Sequence, residues 1–235
     1  MTTQKKSSKE ELTRKERKQR RTIKLILDAA EVQFRKKGFE GTSMDDISEE
    51  ALLSKQTLYN YFDSKDNIYL GLGTRAYKIL KTSFESVIDL NIKGLEQVKR
   101  LGKVFYKYMV EHPLYVKIFR KIHSIMQVSL PEFEMPSSSQ NKGLNLYLSD
   151  YIFAIQDFLD IWIGQVQRAI DDKSLKHNFD IDKEKEARYI GIMLATLVSG
   201  VVDQLPHRKP ALVSIGISEE KMMDDIIALI SKSLA

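Results

Sequence analysis

The sequence predicts an all-α protein: an N-terminal three-helix domain that contains a helix-turn-helix, joined by a long helix to a C-terminal helical bundle. Two observations predict this class. Apolar residues recur at helical spacing through most of the 235 residues. Near the N-terminus two short helical segments meet at a tight junction, whereas the later segments are long. A chain of this length can bury one or two hydrophobic cores.

The first helix is predicted over residues 20–37, with Gly38 at its end. Its apolar residues are spaced to share one face: Ile23, Ile26, Leu27, Ala30 and Phe34. Residues 1–37 carry 13 of the 37 Lys and Arg residues but only 5 of the 32 Asp and Glu residues. We predict that residues 1–13 form a disordered basic arm. Taken alone, this arm fits a solvated tail as well as nucleic-acid binding.

The next two helices are short. Ser43 is predicted to cap the second helix, with Asp46 three residues later in the pattern of a capping box. Ser54 is predicted to cap a third helix over residues 55–62. The apolar residues predicted to face the core are Met44, Ile47, Ala51, Leu52, Leu58 and Phe62. The junction "ALLSKQ" lacks the glycine often seen in such turns, and a plain helical hairpin with its polar residues in solvent is the alternative.

A basic helix, two short helices and a new helix opening at "DSKDNI" follow one another in the order of a DNA-binding helix-turn-helix. In such a domain the second short helix enters the major groove. The segment with "GFEGTS", "SKQTLYNYF" and "DSKDNI" resembles the N-terminal domain of the TetR family of transcriptional regulators, over roughly residues 15–80. Gln56 and Asn60 depart from the family pattern, so the operator sequence does not follow from the resemblance.

The side chains of this segment divide by chemistry into two groups. Lysine and hydroxyl groups are suited to phosphates, whereas Gln56 and Asn60 carry amides that match an adenine edge and Thr57 has a methyl group for thymine. For Tyr61, packing of the ring on the first helix is the alternative to a phosphate contact. The predicted DNA-binding residues are Arg20, Arg21, Thr42, Ser43, Ser54, Lys55, Gln56, Thr57, Tyr59, Asn60, Tyr61 and Lys65.

The predicted domains are a helix-turn-helix domain over residues 14–64 and an effector-binding and dimerisation domain over residues 65–235. The second begins with a long helix to about residue 90, followed by helices over residues 95–110 and 114–127. Residues 129–143, with two prolines and four serines, are predicted to form a surface loop or mobile flap. Residues 144–170 are apolar almost all round, which predicts a helix buried in the middle of the bundle.

A ligand cavity is predicted among these central helices, because they are rich in aromatic and methionine side chains with a few polar tips. The alternative is a solid core. The resemblance to TetR implies release from DNA when a small hydrophobic effector binds here. The predicted ligand-binding residues are Phe105, Met109, Tyr115, Phe119, His123, Met126, Tyr147, Tyr151, Phe158 and Trp162. No cofactor and no metal site are expected.

A homodimer interface is predicted on the last two helices, where small residues recur every four positions in "RYIGIMLATLVSGVV". Closure of the monomer by these helices is the alternative. The predicted interface residues are Gly191, Leu194, Ala195, Val198, Ser199, Met223, Ile226, Ile227 and Ile230. A twofold dimer suits a palindromic operator of double-stranded DNA.

Composition excludes several classes of function. The chain has no cysteine, which removes disulfides and thiolate metal sites. Its longest apolar run, residues 189–202, is shorter than a membrane span, so a cytoplasmic protein without a membrane partner is expected. "GLGTRA" lies in a helical pattern and not after a strand, so no enzyme is predicted. The expectation is a ligand-responsive regulator, a repressor by resemblance; a TetR-like DNA-binding protein without an effector is the alternative.

Overall fold

The computed structural model describes residues 13–129, 146–176 and 180–234, without the side chains of residues 123–129 and of Pro206. Within these residues all regular secondary structure is α-helical, as predicted. The chain divides into two compact units, one up to Tyr69 and one from Leu70 onward. Most of the predicted loop at residues 129–143 lies outside the described residues.

The first unit contains three helices, α1 (Arg14–Lys37), α2 (Met44–Glu50) and α3 (Lys55–Tyr59), and the start of a fourth. Helix α1 begins earlier than predicted, because Thr13 and Glu16 form a capping box that satisfies the first backbone N–H groups. The predicted capping box at α2 is confirmed. So is the cap of α3, whose first-turn amide donates to the Ser54 hydroxyl at 3.1 Å. Helix α3 ends at Tyr59, short of the predicted residue 62.

Apolar residues from each helix form the core of the first unit. The prediction that Leu58 and Phe62 are core residues is confirmed, since both are almost fully buried. The rings of Phe34, Phe39 and Tyr69 form a cluster with centroids 4.6–5.6 Å apart, in which Tyr69 meets both phenylalanines edge to face. The three helices are thus joined by burial of apolar surface, which is what allows a helix as short as α3 to be stable.

A lysine of the fourth helix holds the connector between α1 and α2. The Lys65 ammonium donates to the carbonyl oxygens of Phe39 at 2.6 Å and Thr42 at 2.8 Å, and it lies 4.4 Å from the Phe39 ring centroid. The connector starts at Gly38, whose φ of 71° is the left-handed region that favours glycine. The Thr42 hydroxyl donates to the Gly38 carbonyl at 2.7 Å. The connector that precedes α2 is therefore fixed both to the end of α1 and to the start of the fourth helix.

The turn between α2 and α3 contains a leucine in the left-handed region. Leu52 has a φ of 55° and its side chain is 92% exposed. The prediction that Leu52 belongs to the apolar side of α2 is wrong, because the helix ends at Glu50 and the chain reverses before that residue. For a residue with a Cβ, this conformation costs about 1–2 kcal/mol.

The second unit is built around one helix. It contains the rest of α4 (Lys65–Glu85), then α5 (Gly94–Glu111), α6 (Pro113–Ser129), α7 (Leu146–Asp171), α8 (Lys183–Ser214) and α9 (Glu219–Ser233). Helix α5 packs against α6, α7, α8 and α9. The prediction that residues 144–170 form the central helix is therefore wrong. Helix α7 buries one face, whereas Phe153 on another face is 43% exposed.

Helix α5 lies close to the backbone of its neighbours in the second unit. Gly94 at its N-terminus lies against α7, where an added Cβ would come within 2.3 Å of the Ala169 Cα. The Gly94 amide also donates to Asp172 at 2.7 Å. On α4, the Ala76 carbonyl accepts a hydrogen bond from the Tyr108 hydroxyl of α5 at 2.8 Å.

Helix α8 is longer than the apolar run predicted, because it starts at an Asp182 cap and continues past Pro206 and Pro210. Its Lys183–Leu205 segment is apolar and long enough to pass a length and composition test for a membrane span, and 33% of the segment is buried within the protein. Core helices of globular proteins often pass the same test. Helix α9 starts after the predicted Ser218 cap, which is confirmed.

Replacing Lys65 tests its part in folding. Lys65→Met removes both hydrogen bonds to the connector, and we expect a loss of about 2 kcal/mol of local stability, since bonds from a charged donor contribute more than neutral ones. Amide hydrogen exchange of the full chain should then be roughly thirtyfold faster over residues 39–48. Lys36→Met, at an exposed pair 3.6 Å from Glu50, is the control and should change little. Unchanged exchange in Lys65→Met would contradict this role.

Replacing Leu52 tests the strain in the turn. Leu52→Gly removes the Cβ that disfavours the left-handed conformation. We expect the local stability of the turn to rise by about 1 kcal/mol, once the greater conformational entropy of glycine in the unfolded chain is subtracted. Exchange over residues 44–59 should slow roughly fivefold. Leu53→Gly is the matched control; Leu53 is half-buried and has no positive φ, so exchange should become faster. An equal effect of both changes would mean that Leu52 is not strained.

Candidate nucleic-acid interface

The outer side of α3 exposes the amide side chains that the sequence singled out. Gln56 and Asn60 are both exposed and lie one helical turn apart. The Gln56 Nε2 atom donates to the Asn60 Oδ1 atom at 3.2 Å. Tyr59 is 48% exposed, whereas Tyr61 is half-buried. Amide and phenol groups therefore face solvent while Leu58, on the opposite side, is buried.

The remaining polar residues of α3 are engaged within the domain. The hydroxyls of Ser54 and Thr57 are hydrogen-bonded to each other at 2.8 Å, so they shape the start of the helix. Lys55 forms an ion pair with Asp45 at 2.6 Å, and hydrogen bonding to that carboxylate raises the pKa of Lys55. Lys55 remains exposed and keeps its charge, as a phosphate contact requires.

Two predicted contact residues have partners inside the domain instead. Thr42 is only 2% exposed and its hydroxyl donates to a backbone carbonyl. The Lys65 ammonium is directed to carbonyl oxygens of the connector. We therefore assign both a positioning role in place of the predicted DNA contacts. Ser43 is exposed but its hydroxyl belongs to the α2 cap, where it donates to Asp46 at 2.8 Å.

The cap of α2 is also an electrostatic unit. Lys37 donates to Asp46 at 2.5 Å, and the backbone N–H and hydroxyl of Ser43 donate to the same carboxylate. The hydrogen bond from Lys37, followed by those from Ser43, holds the pKa of Asp46 well below its usual range. The carboxylate therefore stays charged at neutral pH, and its charge is neutralised by Lys37.

Helix α1 carries a basic surface larger than predicted. Arg20 and Arg21 are exposed, and the residues that precede them in the helix are exposed as well. The basic residues missed by the prediction are Arg14, Lys15, Arg17 and Lys18. The run "RKERKQRR" was the available signal, because the Thr13 cap makes it helical. Phosphates are the natural partners of such a surface.

A half-open cavity of about 590 Å³ lies between α4, α5, α6, α7 and α8 of the second unit, and its α8 wall includes the exposed residues Ile192 and Thr196. Its walls are mostly apolar. Four predicted ligand-binding residues line it: Phe105, Met109, Phe119 and Phe158. A volume of this size suits a small molecule.

Other predicted ligand-binding residues lie elsewhere in the second unit. Tyr151 and Trp162 are buried core residues, and the Trp162 indole donates to the Gly191 carbonyl at 3.0 Å. Tyr115 is buried and stacks with Tyr108. Tyr147 is half-buried and is absent from the walls of this cavity. The side chains of His123 and Met126 lie outside the described residues.

The polar end of the cavity was missed by sequence reasoning. Arg120 on α6 pairs with Asp203 on α8, and the Arg120 Nε to Asp203 Oδ1 distance is 3.1 Å. Thr196 and Ser199 line the cavity as well. Helical periodicity gives no signal for a pair of residues so far apart in sequence. No cluster of three or more potential metal ligands occurs in the described ranges.

Most of the predicted dimer-interface residues face the inside of the chain. Five are buried within the monomer: Gly191, Leu194, Val198, Met223 and Ile227. Ala195 and Ser199 line the cavity. At Gly191 an added Cβ would come within 3.2 Å of Trp162 on α7, so this glycine admits a neighbour of the same chain. The prediction that this stripe meets a second subunit is therefore corrected.

A different apolar face of α8 and α9 remains on the surface of the second unit. Ile226 and Ile230, the last two predicted interface residues, are half-buried. The exposed or half-buried apolar residues beside them are Tyr189, Met193, Leu197, Val201, Met222 and Leu229. We call these eight residues the α8–α9 face.

Comparisons with known proteins agree with this geometry. The sequence profile of the bacterial regulatory proteins of the tetR family matches residues 26–72, which include α2 and α3. YhgD of Bacillus subtilis (strain 168), an uncharacterized HTH-type transcriptional regulator, is 28% identical over 109 residues, or 46% of this chain and 57% of YhgD. The chain thus matches little more than half the length of that relative. IcaR of Staphylococcus epidermidis, the HTH-type negative transcriptional regulator of the biofilm operon icaADBC, is 25% identical over 58% of this chain and 80% of IcaR.

Similarity of fold extends over both units. The transcriptional regulator FadR from Bacillus subtilis, solved in complex with stearoyl-CoA, has a TM-score of 0.60 at 14% identity, over 90% of this chain and 99% of FadR. The capped short helices of the helix-turn-helix lie within the residues that the family profile matches. Residues 26–72 of the chain, which contain the helix-turn-helix, therefore match the tetR family of bacterial regulatory proteins.

Proposed function

We propose that this protein is a ligand-responsive repressor that binds a palindromic operator as a dimer, with α3 in the major groove. The observation that carries the proposal is the division of α3 into a buried apolar side and an exposed side with free hydrogen-bonding groups. Exposed amides on a short, rigidly capped helix are suited to base edges. The negative regulator IcaR supports repression as the direction of control.

The basic surface of α1 supplies the nonspecific part of the interaction. Its Lys and Arg side chains are exposed, and Lys55 adds a charge beside the reading helix. Contacts of this kind orient a protein on the duplex and contribute affinity that depends on salt. Specificity then rests on the few side chains of α3 that reach the bases.

The effector is a small, mainly apolar molecule that occupies the cavity of the second unit. The volume of about 590 Å³ favours this function over that of a DNA-binding protein with a filled core. The stearoyl-CoA complex of FadR supports a ligand with an apolar chain. Such a ligand releases DNA only if it binds the form with low operator affinity more tightly than the other form. Helix α4, which contains residues of both units, is the covalent connection for that coupling.

Dimerisation uses the α8–α9 face. Apolar residues at helical spacing on two adjacent helices form a patch that a second copy of the chain covers under twofold symmetry. The symmetry supplies two copies of α3 for two half-sites, about 34–36 Å apart or a multiple of that distance.

Selection from a pool of random duplexes tests the DNA-binding function. We expect the full-length protein to enrich a palindrome, with the logarithm of affinity falling against the logarithm of salt concentration by about 0.9 per phosphate contact. Stearoyl-CoA should weaken binding to the selected duplex, and Ala195→Phe, which fills the cavity, should abolish that response. Enrichment without any palindrome, or no enrichment at all, would contradict the proposal.

The dimer interface is tested by placing a charge on the α8–α9 face. Leu197, which is 43% exposed, becomes buried if that face pairs across a twofold axis. Leu197→Glu then places one unpaired carboxylate per subunit in the interface. We expect the dissociation constant of the dimer, measured by sedimentation equilibrium, to rise at least about a hundredfold. Val110→Glu, at a 55% exposed site on α5, is the matched control. If both variants stay dimeric, the interface lies elsewhere.

A further inference from the structure

The exposed surface of α3 presents its hydrogen-bonding groups as a pair. Ser54 and Thr57 bond each other, and Lys55 is paired with Asp45. The side-chain amides of Gln56 and Asn60 remain for the bases.

Two hydrogen bonds link the members of the pair. The Asn60 backbone N–H donates to the Gln56 carbonyl at 3.1 Å, and the Gln56 Nε2 atom donates to the Asn60 Oδ1 atom at 3.2 Å. The first bond fixes the separation of the two residues along the helix, and the second fixes the mutual orientation of their amide groups. The relative placement of the two amides is therefore set before DNA arrives, and less rotamer freedom is lost on binding.

The internal bond decides which atoms remain available. Among the described residues, no hydrogen bond is made by the Gln56 Oε1 atom or the Asn60 Nδ2 atom. Gln56 thus offers the Oε1 atom as an acceptor and Asn60 offers the Nδ2 atom as a donor, beside the second N–H of Gln56 Nε2 and the second lone pair of Asn60 Oδ1. The two atoms that make no bond within the pair are one acceptor and one donor, one from each residue.

An acceptor beside a donor matches one base in the major groove. Adenine presents the N6 amino group as donor and N7 as acceptor, whereas guanine presents two acceptors. Opposite guanine, the Gln56 oxygen would face the O6 oxygen with no proton between them. Cytosine offers only a donor, and thymine offers an acceptor and a methyl group.

We propose that Gln56 and Asn60 act as one hydrogen-bonded reading unit that selects an adenine in each operator half-site, with Gln56 accepting from N6 and Asn60 donating to N7. This inference rests on the proposed function of α3 as the helix in the major groove. Because the orientation of each amide depends on the other, removing either member removes the selectivity of both.

The test is a double-mutant cycle on DNA selected by the full-length protein. The variants are Gln56→Met, Asn60→Leu and the double change, each measured on the selected duplex and on one with the contacted A·T pair replaced by G·C. The wild type should prefer adenine by roughly ten- to a hundredfold. Each single variant should lose most of that preference at the same base pair, and the double variant should lose no more.

Several outcomes overturn the inference. A G·C pair at the contacted position of the wild-type operator, relaxed selectivity at two different base pairs, or losses that multiply in the double variant would each mean that the residues act separately. An equal loss on both duplexes would mean that they contribute affinity and not selectivity. Lys55→Gln is the control, because the loss of a phosphate contact should weaken binding equally on every sequence. If the wild type shows no sequence preference at all, the proposed function itself fails.

Discussion

The helix-turn-helix of this protein depends on how the connector between α1 and α2 satisfies its backbone. A segment that leaves one helix and enters another exposes carbonyl groups that neither helix pairs. Here the Lys65 ammonium donates hydrogen bonds to two of these carbonyl oxygens, and the Thr42 hydroxyl donates to the carbonyl oxygen of Gly38. Because the ammonium comes from the first turn of α4, it ties the connector between α1 and α2 to the start of α4. The position of α2, and of α3 after it, follows from this constraint.

The polar residues of the first unit fall into two groups that sequence position alone does not separate. Some of them are used by the fold: Ser43 and Asp46 at one cap, and Ser54 with Thr57 at the next. Within the described part of the chain, the side chains of Gln56 and Asn60 bond only to each other, and both residues are exposed. All these residue types are suited to DNA, so the chemistry of a side chain predicts what it is able to contact, whereas its partners decide what it does contact.

Local signals allowed much of the fold to be predicted from the sequence. Ser43, Ser54 and Ser218 were recognisable as caps, because a cap depends only on residues three or four positions away. The periodicity placed Leu58 and Phe62 in the core for the same reason. The left-handed Leu52 gave no such signal, since a leucine rarely adopts that conformation.

Long-range relations were harder to predict. Periodicity predicts which residues share a face of a helix but not what lies opposite that face. The stripe of small residues was therefore assigned to a second subunit, whereas Gly191 lies against α7 and Ala195 and Ser199 line the cavity. The Arg120 and Asp203 pair joins helices that no local pattern relates. The exposure of Gln56 and Asn60 has an evolutionary consequence. Neither residue supports the core, so under the proposed function a duplicated copy of this gene can change both and acquire a new set of target promoters without loss of folding.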